Sequence, residues 1–147
     1  MGKVTIEQAI RNAVEAERAA ARFYSLLGDS TEDPEAKLFL QQMHDDELKH
    51  AAAIEHMAKE VTARDLPARA EDGYATVETA PAWKYVDGID YLSALRVALE
   101  AEQSAALYYG AMAEAFLGAQ KQFFEDLSST EEKHAERVQQ MIEKVVI

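Results

Sequence analysis

Four stretches of the chain carry apolar residues at alternating steps of three and four residues, the spacing that lines one face of an α-helix. In chain order, the faces consist of Ile6, Ile10, Ala13, Glu17, Ala20, Tyr24 and Leu27; of Leu40, Met43, Glu47, His50, Ile54, Met57 and Val61; of Tyr91, Leu95, Ala98, Glu102, Ala105, Tyr109 and Met112; and of Phe124, Leu127, Glu131, His134, Val138, Met141 and Val145. Such faces turn inward in a helical bundle. The pattern therefore predicts an all-α four-helix bundle.

Capping and helix-breaking residues predict where the helices begin and end. The expected bounds are a Thr5–Gln8 capping box to Gly28, Asp33-Pro34 to about Ala63, Asp90 to Gly118, and most of the remaining chain. We interpret residues 1–147 as a single domain made of a helical hairpin (5–63), a crossover linker (64–89) and a second hairpin (90–147). The linker is long enough to cross the bundle, and we expect Trp83 and Tyr85 to hold it against the helices.

The two hairpins are related in sequence, which suggests that one hairpin was duplicated. Residues 15–24 read EAERAAARFY and residues 100–109 read EAEQSAALYY, with six of ten positions identical. Residues 47–51 read ELKHA and residues 131–135 read EEKHA. The repeat predicts a pseudo-twofold axis at which each half contributes one Glu and one Glu-x-x-His.

Each of the four apolar faces places a carboxylate where a core hydrophobe is expected, and two faces add a histidine one turn later. The six residues are Glu17, Glu47, His50, Glu102, Glu131 and His134. An ionised carboxylate in a core costs several kcal/mol unless positive charge meets it, and the faces offer no Lys or Arg. A single Glu-x-x-His is a weak signal, but its repetition in register on two apolar faces is a much stronger one. We therefore expect these residues to bind a pair of metal ions.

Other polar residues near these faces are weaker candidates. Tyr24 and Tyr109 lie two turns beyond Glu17 and Glu102, where their hydroxyls could hydrogen-bond ligand carboxylates or supply a proton or an electron. His44 and His56 leave the face of His50 and are expected to be surface or packing residues. Asp46 could orient a ligand histidine, although its counterpart in the repeat is Thr130.

Composition limits the functions open to the chain. The net charge of −12 disfavours nucleic acid and anionic membranes as partners. No apolar run approaches the roughly 20 residues that span a bilayer, and no signal peptide is recognisable, so we expect a cytoplasmic protein. The absence of cysteine excludes disulfides, thiolate metal sites and cysteine catalysis within these 147 residues.

The combination of two Glu with two Glu-x-x-His resembles the ferritin-like di-iron carboxylate proteins, and especially the rubrerythrin branch. The resemblance spans both hairpins. It implies that Glu17 and Glu102 are terminal carboxylates, that Glu47 and Glu131 bridge the metals, and that His50 and His134 each bind one metal. It also implies two iron ions, whereas the spacing alone would accept manganese, a mixed iron–manganese pair or adventitious zinc.

Two departures from typical rubrerythrins affect the expected chemistry. Without cysteine the chain cannot hold a rubredoxin-like iron site, so electrons must come from an external donor, either rubredoxin-like or another reductase. Typical members also carry an additional Glu three residues after the third-helix ligand, where this chain has Ala105. A redox-linked exchange of ligands at that position is therefore in doubt.

The resemblance implies a di-iron oxidoreductase that reduces hydrogen peroxide and forms a homodimer. One alternative is a ferroxidase or iron-handling protein that uses dioxygen, which should form a larger shell and turn over many irons. The other is a structural helical module with a vestigial site, which should bind no stoichiometric metal. The sequence does not decide whether a long linker exchanges hairpins between protomers.

Overall fold

The computed structural model describes residues 6–60, 83 and 85–146 of the chain, and its described part is all-helical without strands. Helix α1 spans Ile6–Ser30, α2 spans Pro34–Glu60, α3 spans Tyr91–Ala113 and α4 spans Gly118–Val146. This agrees with the predicted four-helix bundle. The predicted capping residue Thr5, the end of the second helix near Ala63 and most of the linker lie outside the described residues.

The four helices form two antiparallel hairpins, α1 with α2 and α3 with α4, that pack against each other. Contacts between the hairpins show their relative direction. The Tyr108 hydroxyl in α3 donates to the Ala9 carbonyl near the start of α1 at 2.9 Å. Lys144, near the end of α4, pairs with Glu35, near the start of α2, at 2.9 Å. Hence α1 is antiparallel to α3, and α2 is antiparallel to α4.

This arrangement separates the end of α2 from the start of α3. Because α2 is antiparallel to α1 and α1 is antiparallel to α3, α2 ends at one end of the bundle and α3 begins at the other. The 27 residues of α2 correspond to about 40 Å of helix. Trp83 and Tyr85 both pack on Phe23 of α1, with ring centroids 5.4 and 6.1 Å away. Their predicted contact with the bundle is confirmed.

Two predicted helix starts are confirmed by side-chain caps. The Asp33 carboxylate accepts the Ala36 N–H at 2.9 Å, and its carbonyl accepts the Lys37 N–H. The Asp90 carboxylate accepts the Ser93 N–H at 2.9 Å. Each aspartate supplies an acceptor for an N–H group that the first turn of a helix leaves unpaired.

The prediction that Gly28 ends the first helix is wrong, because α1 continues to Ser30. Side chains satisfy the carbonyls at this end of the helix. Lys37 Nζ donates to the Gly28 carbonyl at 2.9 Å, and Ser30 Oγ donates to the Leu27 carbonyl at 2.9 Å. The helix therefore has no need of a left-handed glycine to close it.

The prediction that Gly118 ends the third helix is also wrong. Helix α3 ends at Ala113, and Gly118, with φ of 62°, is the first residue of α4. The chain leaves the helix early to bury Phe116, which is 2% exposed and stacks on Phe124 with ring centroids 5.2 Å apart. Burial of this ring places the turn before the glycine.

The apolar core divides into two clusters, one around Tyr108, Met112 and Phe116 and the other around Phe23, Leu40 and Leu95. Nearly all predicted inward positions with described side chains are buried. Val145 is an exception at 42% exposure, since α4 continues past the core at its end. In the part of the chain that the structure describes, no helix is both long and apolar enough to cross a membrane.

Candidate metal centre

The six residues predicted as ligands come from the middle turns of all four helices. Five of them are at most 3% exposed, and the His50 side chain is 15% exposed. Each ionisable residue occupies the apolar face of its helix and therefore points inward, at the same level of the bundle as the others. The fold therefore brings all six together.

The imidazole of His50 faces three carboxylates from three different helices. Its Nδ1 atom lies 2.9 Å from Glu17 Oε1, 3.2 Å from Glu47 Oε1 and 3.3 Å from Glu131 Oε1. Three carboxylate oxygens thus surround one nitrogen, and a single N–H proton cannot serve all three acceptors. This is the geometry of a position suited to a cation.

The imidazole of His134 repeats this environment in the other half of the bundle. Its Nδ1 atom lies 3.6 Å from Glu102 Oε1, 3.5 Å from Glu47 Oε1 and 3.4 Å from Glu131 Oε1. The two rings are stacked, with centroids 5.4 Å apart and planes inclined by 17°.

The carboxylates fall into two classes by these distances. Glu47 and Glu131 each approach both imidazoles, whereas Glu17 approaches the nitrogen of His50 and Glu102 that of His134. One oxygen each from Glu47 and Glu131 and one nitrogen each from His50 and His134 lie within 4.8 Å of one another. The arrangement has two equivalent positions, with two carboxylates between them and one at each end.

Comparison with known protein families identifies the family of the chain. A family model for rubrerythrin matches residues 8–142, most of the chain. The chain belongs to the rubrerythrin family. Neither a search of curated proteins nor a search of solved structures gave a significant match.

Two tyrosines hold the outer carboxylates of this rubrerythrin-family centre. The Tyr24 hydroxyl donates to Glu102 Oε2 at 2.6 Å, and the Tyr109 hydroxyl donates to Glu17 Oε2 at 2.9 Å. Both bonds cross between the hairpins, so each half of the repeat positions a carboxylate of the other half. In each case the second carboxylate oxygen stays directed at a histidine.

Several buried polar atoms of the centre have no hydrogen-bond partner among the described residues. They are both carboxylate oxygens of Glu47, both of Glu131, Oε1 of Glu102 and Nδ1 of His134. Within the same residues, no lysine or arginine lies at ion-pair distance from the four carboxylates. Buried, unpaired charge of this kind is strongly unfavourable. Divalent cations would satisfy these atoms, so the residues present fit a pair of iron ions.

The pKa values of the cluster show how strongly it attracts positive charge. Burial, reinforced by repulsion from Glu102 and Glu131, raises the pKa of Glu47 well above its ordinary value. Burial lowers the pKa of His50, but the neighbouring carboxylates of Glu131 and Glu17 outweigh it and raise the value to about 9. Protons therefore occupy the cluster when metal does not, and metal binding must displace them.

The surroundings of the two histidines differ. Asp46 Oδ2 lies 3.3 Å from Nε2 of His134 and 3.6 Å from the guanidinium of Arg137. The corresponding residue in the other half, Thr130, donates instead to the Asp126 carbonyl. A carboxylate behind a ligand histidine fixes the orientation of its ring. No sequence pattern pointed to Arg137, whose counterpart in the repeat is Ala53.

The remaining candidates lie away from the cluster. His44 is half-buried beside Asp45, with Nδ1 and Oδ1 3.0 Å apart, and His56 is exposed. Ala105 and its repeat counterpart Ala20 are both buried. The centre therefore lacks the additional carboxylate of typical rubrerythrins one turn beyond Glu102, and an alanine stands at that position in both halves.

Proposed function

We propose that this chain is a di-iron oxidoreductase that reduces hydrogen peroxide with electrons from an external donor. The observation that carries the proposal is the symmetric set of four carboxylates and two imidazoles, with its unpaired buried atoms directed at two positions. We propose that Glu17 and His50 hold one iron, Glu102 and His134 the other, and that Glu47 and Glu131 hold both.

Two ferrous ions would together supply the electron pair that, with two protons from solvent, converts one hydrogen peroxide into two water molecules. The protein's own groups prepare the centre for this chemistry. Tyr24 and Tyr109 fix the rotamers of the outer carboxylates, while Asp46 orients the ring of His134. The apolar clusters on either side exclude bulk water and lower the local dielectric constant, which strengthens each electrostatic contact.

The closed surroundings of the centre favour a very small substrate. Five of the six ligands are buried and the sixth is 15% exposed, and a groove of about 1220 Å³ on the outer side of α3 and α4 is lined by none of them. An organic substrate would need a cavity of several hundred cubic ångströms next to the metals. Hydrogen peroxide and dioxygen are small enough to reach the centre through fluctuations of the bundle.

Iron-loading and rapid mixing test the proposal. Protein loaded anaerobically with two Fe(II) per chain is mixed with limiting hydrogen peroxide or limiting dioxygen, and the ferric absorbance is followed. We expect the peroxide reaction to be much the faster. Faster oxidation by dioxygen with continued turnover of added Fe(II) would instead identify a ferroxidase. Failure to retain two irons would contradict both functions and favour a structural module.

A pair of adjacent glutamates provides a matched control. Glu131 is fully buried among the ligands, whereas its neighbour Glu132 is exposed. Glu131→Leu is expected to abolish the rapid peroxide phase, and Glu132→Leu is expected to leave it unchanged. Equal rates in the two variants would show that the reaction occurs elsewhere on the protein.

A further inference from the structure

The six ligands define two equivalent positions, but the residues behind the two histidines differ. On the outer side of His134, Nε2 lies 3.3 Å from Oδ2 of Asp46, so the imidazole is held between this carboxylate and the cluster. Behind His50 the repeat places Thr130 instead, and its hydroxyl donates to the carbonyl of Asp126 at 2.9 Å. One half of the centre therefore has a charged residue that the other half lacks.

Asp46 is held in place by a second contact, with Arg137. The guanidinium of Arg137 lies 3.6 Å from Oδ2 of Asp46. It also donates to Oε1 of Gln42 at 3.1 Å and lies 5.6 Å from the centre of the Phe39 ring. The counterpart of Arg137 in the first half is Ala53, which has no group that could hold a carboxylate. The carboxylate behind His134 thus belongs to a set of contacts that ties α2 to α4.

The inner sides of the two imidazoles differ as well. Nδ1 of His50 is hydrogen-bonded to Oε1 of Glu17 at 2.9 Å. Nδ1 of His134 has no hydrogen-bond partner among the described residues, and the carboxylate oxygens around it are 3.4 to 3.6 Å away. A metal beside His50 must replace an existing bond, whereas His134 offers an unengaged nitrogen. The His50 side chain is also the more exposed, at 15% against 3%, so water competes more strongly at its position.

These differences act in the same direction on metal affinity. A carboxylate that accepts the outer N–H of a ligand histidine fixes the orientation of the ring and makes its inner nitrogen a stronger ligand. Loss of such a partner typically lowers metal affinity by about 10- to 100-fold. The negative charge of Asp46 on the side of His134 adds a further attraction for a cation there.

We propose that the two metal positions have unequal affinity and that Asp46 sets the order in which they fill. The position beside His134 and Glu102 takes the first divalent cation, and the position beside His50 and Glu17 takes the second. The inference rests on the proposed function, because it requires that the six residues bind two metal ions. Asp46 is a positioning residue, since it acts through His134.

Diffraction from crystals grown with one Co(II) per chain shows which position fills first. Cobalt binds to nitrogen and oxygen ligands of the same kind as iron does, and its absorption edge locates it. Two cations that share Glu47 and Glu131 repel each other and would bind in two steps even at identical positions, so the occupied position itself must be observed. An affinity ratio of about 10 to 100 places at least about three quarters of the cobalt beside His134.

Exchange of the two counterpart residues tests the role of Asp46. Asp46→Thr copies the residue of the other half and is expected to remove most of the difference between the two cobalt peaks. Addition of Thr130→Asp to this variant is expected to make the peak beside His50 the higher one. Asp46→Asn keeps an oxygen that accepts the outer N–H of His134, so we expect it to retain the higher peak there with a smaller difference.

Co(II) titration against a competing chelator measures the two positions separately in solution. His50→Gln leaves the position beside His134 intact, and His134→Gln leaves the one beside His50 intact. In the first background, Asp46→Thr is expected to lower the affinity for Co(II) by about 10- to 100-fold. In the second background it is expected to change the affinity little. A merely structural role of Asp46 would lower both affinities alike.

The neighbouring aspartate provides a matched control. Asp45 is exposed and lies beside His44, so Asp45→Thr removes the same charge without touching a ligand. It is expected to keep the wild-type pattern of peaks, and a change as large as that in Asp46→Thr would refute a specific role of Asp46.

The outcomes separate the inference from the proposed function. Equal cobalt peaks in the wild type, or an unchanged excess beside His134 in Asp46→Thr, would overturn the inference and leave a two-metal centre in place. Absence of cobalt from the six ligands would contradict the di-iron function itself. An excess beside His134 in a protein whose iron-loaded form does not react with peroxide would refute the peroxidase and keep the inference.

Discussion

Replacement of Glu131 by leucine should have opposite effects on stability in the metal-free and iron-loaded protein. Glu131 is fully buried, and neither of its carboxylate oxygens has a hydrogen-bond partner among the described residues. The cluster contains four carboxylates but only two imidazoles, so its carboxylates outnumber the groups that can carry positive charge. Removing one carboxylate therefore relieves repulsion without leaving a cation unpaired.

The expected magnitudes follow from this excess of carboxylates. Exchange of buried ionic groups for apolar residues of similar volume commonly stabilises a protein by about 1–4 kcal/mol. We expect metal-free Glu131→Leu to gain a free energy of unfolding in that range. Iron at about 100 times its dissociation constant should add about 2.7 kcal/mol per site to the wild type. The variant, which lacks a carboxylate shared by both positions, should gain little from iron.

Anaerobic urea unfolding, followed by far-ultraviolet circular dichroism with Fe(II) or with a chelator, measures both effects. The order of stability should reverse: the variant is the more stable without iron, and the wild type with iron. Glu132→Leu, at an exposed neighbouring position, should change stability by no more than about 0.5 kcal/mol in either condition. A metal-free variant less stable than the wild type would refute the view that the cluster is held together by metal.

Three further predictions concern histidines, pH and tyrosines. His50→Gln should reduce the bound iron, measured by anaerobic titration, while His44→Gln should keep two irons per chain; equal binding would exclude His50 as a ligand. Attraction to neighbouring carboxylates outweighs burial and raises the pKa of His50 to about 9 and that of His134 to about 10. The ordinary value, which applies to the unfolded chain, is 6.5, so the folded chain holds these protons more tightly. The free energy of unfolding of the metal-free protein should therefore fall as pH rises from about 6.5 to 10, and pH-independent unfolding would contradict this. Tyr108→Phe, which removes the hydroxyl bond to the Ala9 carbonyl, should cost about 1 kcal/mol in urea unfolding. Tyr91→Phe should cost nothing, because the buried Tyr91 hydroxyl has no partner within the described chain; equal losses would show that these hydroxyls do not act through their bonds.

The helices and the convergence of the six residues could be predicted from sequence because both depend on the three- and four-residue spacing of the apolar positions. A residue's position on a repeating apolar face determines its direction, and the internal repeat aligns the two halves. The same reasoning placed Tyr24 and Tyr109 near ligand carboxylates. The bond of each tyrosine to the carboxylate of the opposite half could not be predicted in this way, since it depends on how the hairpins pack.

The helix ends were less predictable because side chains from elsewhere decide them. Lys37 of the next helix satisfies the Gly28 carbonyl, and burial of Phe116 moves the second hairpin turn ahead of Gly118. The contact of Trp83 with Tyr24 likewise depends on the course of the chain outside the helices. Neither the spacing of residues nor the repeat carries that information.

Anomalous diffraction at the iron absorption edge, from crystals prepared anaerobically with Fe(II), would locate the bound iron directly. We predict two iron peaks per chain inside the bundle, one beside His50 and Glu17 and the other beside His134 and Glu102. Glu47 and Glu131 should lie between the peaks and contact both. A single peak, or iron bound only outside these six side chains, would contradict the assignment of a di-iron centre.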